Sequence, residues 1–101
     1  MATVQEFFQR LPESEAASRT AGMSSSYVFD VEGAGQWTVR VEDGTISVSE
    51  GAEQADCTIS ASEETFLRIV NGEQNPTTAY MTGKLKIAGD MGAALKLQKL
   101  F

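Results

Sequence analysis

Between Tyr27 and Ser49 the apolar residues recur at every second position, and this constrains the fold more than any other feature. Tyr27, Phe29 and Val31 alternate with Val28, Asp30 and Glu32. Trp37, Val39 and Val41 alternate with Thr38, Arg40 and Glu42, and Ile46 and Val48 with Ser47 and Ser49. A period of two belongs to strands that bury one face. Gly33-Ala34-Gly35 reads as a turn, Asp43-Gly44 is a strong two-residue hairpin signal, and Gly51 breaks the run. The stretch predicts a three-stranded antiparallel meander with one apolar face. Gly33-x-Gly35 is no dinucleotide fingerprint, because it lacks the third glycine and joins strand to strand.

The flanking residues carry a helical period. Val4, Phe7, Phe8 and Leu11 share one helical face, Thr3 and Glu6 have capping-box spacing, and Pro12 is expected to end that helix. Residues 13–24 are small and polar, with room for one weak turn before Gly22. Residues 55–61 predict a fourth strand with Cys57, Ile59 and Ala61 inward. Ser62 then caps a helix whose buried side is Phe66, Leu67, Ile69 and Val70, stopped at Asn71-Gly72. Asn75-Pro76 opens another helix running through Ala79, Tyr80 and Met81 to Gly83. Lys84 to Ile87 alternates as a fifth strand, and Asp90 caps a last helix over 91–101. On that helix the apolar residues cover an arc of roughly 220°, wider than one core contact needs. Gln98 lies inside the arc, where a buried amide requires partners. It either bonds a nearby backbone group or faces a ligand cavity.

Composition removes most chemistry. The chain of 101 residues has no histidine and a single cysteine, Cys57. No Ser-His-Asp or Cys-His pair, Cys/His zinc cluster or internal disulfide can form. Cys57 reads as a buried small hydrophobe, and a lone cysteine suits a reducing compartment. Glu63 and Glu64 are explained by their place in a helix's first turn, so a carboxylate hydrolase has little support. No run of 18 apolar residues spans a membrane, and the acidic N-terminus has no basic region of the kind a signal peptide needs. A net charge of −6 argues against nucleic-acid binding. All the lysines, however, lie in the last fifth of the chain: Lys84, Lys86, Lys96 and Lys99. They form either a solvated face or a docking patch for a phosphate or an anionic membrane.

Ala55-Asp56-Cys57-Thr58-Ile59, then Asn75-Pro76, then Gly83-Lys84-Leu85-Lys86-Ile87-x-Gly89-Asp90-Met91, then Ala94-Leu95-Lys96-Leu97-Gln98-x-Leu100 together resemble the sterol carrier protein 2 family. The first half fits more loosely, through Phe29, Trp37, Asp43-Gly44 and the meander. The resemblance implies a single α/β domain of α+β type over residues 1–101. Its five-stranded mixed sheet would carry helices on one face, with an apolar tunnel between. It also implies non-enzymatic, cofactor-free carriage of a fatty acid, fatty acyl-CoA, phospholipid or sterol-like lipid. An alternative is an accessory module for an enzyme that handles lipid or quinone. The candidate lining is Phe29, Trp37, Val39, Val48, Phe66, Ile69, Tyr80, Met81, Ile87, Met91, Leu95 and Gln98, and for each apolar member taken singly ordinary core is the stronger reading. A pocket of several hundred Å³ containing Phe66, Tyr80 and Met91 is expected. The ending Lys99-Leu100-Phe101 does not match a peroxisomal tripeptide, so a cytoplasmic, prokaryotic protein is expected.

Overall fold

The computed structural model describes residues 3–13 and 16–96. Helix α1 (Val4–Arg10) begins where the Thr3 hydroxyl accepts the Glu6 backbone N–H at 3.1 Å. Pro12 does not stop the winding. The chain tightens into a 3₁₀ turn, Leu11–Glu13, in which proline's fixed φ is tolerated. A short helix α2 (Ala16–Arg19) follows, and Gly22 with φ of 78° turns the chain into the sheet.

The meander forms as its period predicts: β1 (Ser24–Glu32), β2 (Gly35–Glu42) and β3 (Thr45–Glu50) pair antiparallel in sequence. Asp43 and Gly44 both take positive φ, 46° and 83°, as the tight primed turn requires. Strand β4 (Cys57–Ser62) lies parallel to β1, and β5 (Leu85–Gly89) antiparallel to β4, giving the order β3-β2-β1-β4-β5. The sheet is therefore mixed and five-stranded. β5 starts one residue later than expected, because the Lys84 N–H is spent on the Ala79 carbonyl at 2.9 Å.

Cross-strand register explains the inner face. Val48, Val39, Tyr27, Cys57 and Gly89 form one row, and Trp37, Phe29, Ile59 and Ile87 most of the next. Helix α3 (Glu63–Val70), capped by Ser62, drops Phe66 onto this face. Phe66 meets Phe7, Phe8 and Phe29 at ring-centroid distances of 5.5, 5.4 and 5.9 Å, and Phe8 stacks on Trp37 at 4.7 Å. These rings are the centre of the core.

Helix α4 (Pro76–Met81) is capped by the Asn75 carboxamide, which accepts the Thr77 and Thr78 N–H groups, and it buries Ala79 completely. Helix α5 (Met91–Leu95) is capped by Asp90 and closes at Lys96. The expected helix over 91–101 thus is described only to Lys96, and Gln98 and Lys99 lie outside the described residues. Within α5 the buried side chains are Ala93 and Ala94, while Met91 and Leu95 are exposed. No helix among the described residues is long and apolar enough to cross a membrane.

The outer sheet face is polar, and the segment between β3 and β4 drapes across it. The buried Thr38 hydroxyl donates to the Gly51 carbonyl at 2.8 Å and accepts the Glu53 N–H at 3.0 Å. Arg40 reaches the Glu53 carboxylate and the Gln54 carbonyl, both at 3.3 Å. Thr38→Val keeps the shape and deletes both bonds, stranding the Glu53 N–H. We expect a loss of about 1–3 kcal/mol in urea unfolding. A variant as stable as the parent would show that this clasp adds nothing.

Candidate functional site

An open groove lies at the β5 edge of the sheet, between α4, β5 and α5, and encloses about 90 Å³. Pro76, Thr77 and Tyr80 come from α4, Leu85 and Ile87 from β5, and Met91, Ala94 and Leu95 from α5. Among the described residues no charged side chain lines it, and the side-chain polar atoms are the hydroxyls of Thr77 and Tyr80. Tyr80, Met91 and Leu95 are each exposed on its walls, as is neighbouring Met81 at 79%. Large apolar side chains left in water this way are the part of the surface that most favours an apolar ligand.

The candidate lining residues divide. Tyr80, Ile87, Met91 and Leu95 share the groove. Phe29, Trp37, Val39, Phe66 and Ile69 are buried together in the core, with Val48 half-buried against it. Trp37 and Val48 face a separate shallow hollow of about 170 Å³ beside α1. Among the described residues, Phe66 does not line the groove that holds Tyr80 and Met91. Phe7, Phe8 and Phe29 surround its ring instead.

The lysines divide too. Lys84 and Lys86 sit on the outer sheet face, around a concavity of about 380 Å³ shared with Asp30, Glu32, Ser60 and Ser62. Lys96 ends α5 on the inner side. The basic run in sequence therefore does not fold into one basic patch among the described residues, and two of its lysines face acids.

The junction that sets α5 is built from two of the motif segments. Gly89 has φ of 110°, and a Cβ there would stand 2.5 Å from the Asp56 carbonyl oxygen and 2.9 Å from Cys57 Cα. The Asp90 N–H donates to that same Asp56 carbonyl at 2.9 Å. The Asp90 carboxylate accepts the N–H groups of Gly92 and Ala93 at 2.8 and 3.3 Å. Asp56 in turn accepts the Ser26 N–H at 3.0 Å. The absence of a side chain at Gly89 thus lets the end of β5 lie close against β4, where α5 begins. Tyr27, wholly buried, donates its hydroxyl hydrogen to the Ala93 carbonyl at 2.6 Å. Sequence reading passed over this residue. Its signal was a tyrosine at an inward strand position, whose hydroxyl needs a buried partner.

Burial pushes the Tyr27 phenol up to about 12, with the Ser25 hydroxyl pulling the other way and nearby Cys57, Asp56 and Asp90 adding to the rise. Burial likewise pushes the Cys57 thiol up to about 11, helped by Asp56 and Asp90. A thiol so placed, 2% exposed, is a packing residue and not a nucleophile. Both groups bind their protons more tightly folded than unfolded. Their stabilisation is complete below about pH 9, the thiol's ordinary value, and is lost as pH rises through 11 and then 12. Thermal melts at stepped pH should show stability falling from about pH 9 upward, with an abrupt rise in thiol labelling only as the chain unfolds. Fast labelling of the native protein at pH 8 would contradict the burial of Cys57.

Comparison with known proteins agrees with this architecture. Residues 4–101 match the SCP-2 sterol transfer family. The chain is 37% identical over 102 residues to hydroxysteroid dehydrogenase-like protein 2 of Xenopus tropicalis, covering 96% of this chain and 24% of that protein. It therefore spans about a quarter of the length of the curated relatives first matched. The sterol carrier protein domain 2 of Helicoverpa armigera superposes with a TM-score of 0.75 at 30% identity, covering 96% of this chain and 84% of that one. Palmitated SCP2L2 from Aedes aegypti, at 19% identity, shares the fold with a TM-score of 0.76, over 98% and 94% of the two chains. With the mixed sheet, the helices on its inner face and a match that runs through nearly every residue, the chain belongs to the SCP-2 sterol transfer family.

Proposed function

We propose that this chain binds a fatty acid or fatty acyl chain in the α4–β5–α5 groove and carries it through the cytoplasm without catalysing a reaction. The observation that carries the reading is the groove itself: apolar walls from Ile87 and the exposed Tyr80, Met91 and Leu95, with no charged lining among the described residues. Family membership supports a lipid over other apolar ligands. Each methylene buried there contributes about 0.8 kcal/mol, so a chain partly seated in the groove gains affinity in proportion to its length. Flexible Met91 suits chains of different shape. Lys96, beside the α5 wall, is the cation we assign to an acyl-CoA phosphate or an anionic membrane. Lys84 and Lys86 lie beside Asp30 and Glu32 and are better read as a solvated, charge-balanced face.

Native mass spectrometry with added hexadecanoate tests the reading. A one-to-one complex, weakened when Met91 and Leu95 are changed to serine, is the expected result. No complex with fatty acids or acyl-CoA from eight to eighteen carbons would overturn it. A second reading, an accessory module attached to an enzyme, draws on the chain's matching only 24% of a dehydrogenase-like relative. In that case the chain would present lipid to a catalytic partner, and the same groove would be used.

A further inference from the structure

We propose that Tyr27 is a positioning residue: its bond to the Ala93 carbonyl holds α5 against the sheet, sets the width of the groove and so selects ligand chain length. The inference deepens the lipid-carrier reading and rests on it for its ligand. The groove's about 90 Å³ is well below the roughly 300–1,000 Å³ of sites that enclose a small ligand. A long acyl chain needs more, so a wall must move. β5 is fixed by its pairing with β4, and α4 is anchored by the fully buried Ala79 and the Asn75 cap. α5 is the wall that can yield. Its described turn, Met91–Leu95, buries the two small side chains of Ala93 and Ala94. Its larger side chains, Met91 and Leu95, are 46% and 75% exposed and do little to hold it. It leaves the sheet through Gly89, and the Asp90 N–H to Asp56 carbonyl bond lies at that pivot. Beyond the pivot, the tie among the described residues is the 2.6 Å bond from Tyr27, which spans 66 positions of sequence and is buried. Displacing α5 moves Met91, Ala94 and Leu95 outward together and must stretch that bond.

Tyr27→Phe removes only the hydroxyl. In the unliganded protein, hydrogen exchange at the Ala94, Leu95 and Lys96 amides should speed up by about five- to tenfold, with the β1 and β4 amides unchanged. Affinity for hexadecanoate should rise about fivefold relative to octanoate, because a long chain no longer has to break the bond on entry. Unchanged exchange in α5, or an unchanged ratio between the two fatty acids, overturns the proposal. Should the variant fail to fold, the parent protein serves: saturating hexadecanoate should accelerate α5 exchange while octanoate does not, and equal protection by both overturns it. If the parent binds neither fatty acid, the carrier reading fails, while exchange in the unliganded variant still reports whether Tyr27 holds α5.

Discussion

Gly89→Ala should lose at least about 3 kcal/mol, enough to lower the melting temperature by more than about 12 °C in a domain of this size. Two costs combine. The backbone sits at φ of 110°, a conformation that side chains other than hydrogen rarely adopt. The added Cβ would also lie 2.5 Å from a carbonyl oxygen and 2.9 Å from an α-carbon, and backbone atoms cannot swing aside as a side-chain tip can. Relief requires β5 and α5 to part from β4. That breaks the Asp90 to Asp56 bond and separates Tyr27 from Ala93. Calorimetry on the variant decides the matter: a loss below about 1 kcal/mol would mean the junction can relax where the geometry says it cannot.

Phe8→Ala should cost about 3–5 kcal/mol, the usual range for truncating a buried phenylalanine. Phe8 is 1% exposed and touches four other rings: Phe7, Phe29, Trp37 and Phe66. No single neighbour can fill the void. Trp37 loses its stacking partner, so its native emission should shift to the red as water reaches the hollow beside α1. Fatty-acid affinity of the molecules still folded should stay near the parent's, because Phe8 is not in the α4–β5–α5 groove. A large loss of affinity at unchanged stability would instead tie the aromatic core to the ligand.

How much of this was legible in the sequence depends on what decides each feature. The meander was legible because side-chain direction in a strand depends on position alone. Phe29 opposite Trp37 and Val39 opposite Val48 follow once the Asp43-Gly44 turn sets the register. Capping was legible for a similar local reason at Thr3, Ser62, Asn75 and Asp90. The site was only half legible. Periodicity says that Phe66 and Tyr80 each lie on the apolar side of a helix. Whether such a side meets protein or empty space depends on distant residues. Phe66 meets rings from α1 and β1, whereas Tyr80 lines the groove at the sheet's last strand. The last helix was legible in part. Its broad apolar arc pointed to Met91 and Leu95, which line the groove, while the inward turn of Ala93 and Ala94 beneath them is settled by the Tyr27 contact and is readable only in space.

The strand order has a consequence for the time course of folding. β1, β2 and β3 join through two-residue turns, so their pairing closes only short loops and can come early. β4 must then return across the meander to lie beside β1, with Cys57 opposite Tyr27, thirty positions earlier in the chain. β5 and α5 can dock only on a β4 already in place. The C-terminal layer is thus expected to form after the rate-limiting step. Lesions at Gly89 or Tyr27 should then hasten unfolding and leave the refolding rate nearly untouched, whereas lesions in the Asp43-Gly44 turn should slow refolding. The wall nearest the groove would be the last part of the molecule to assemble and the first to come away.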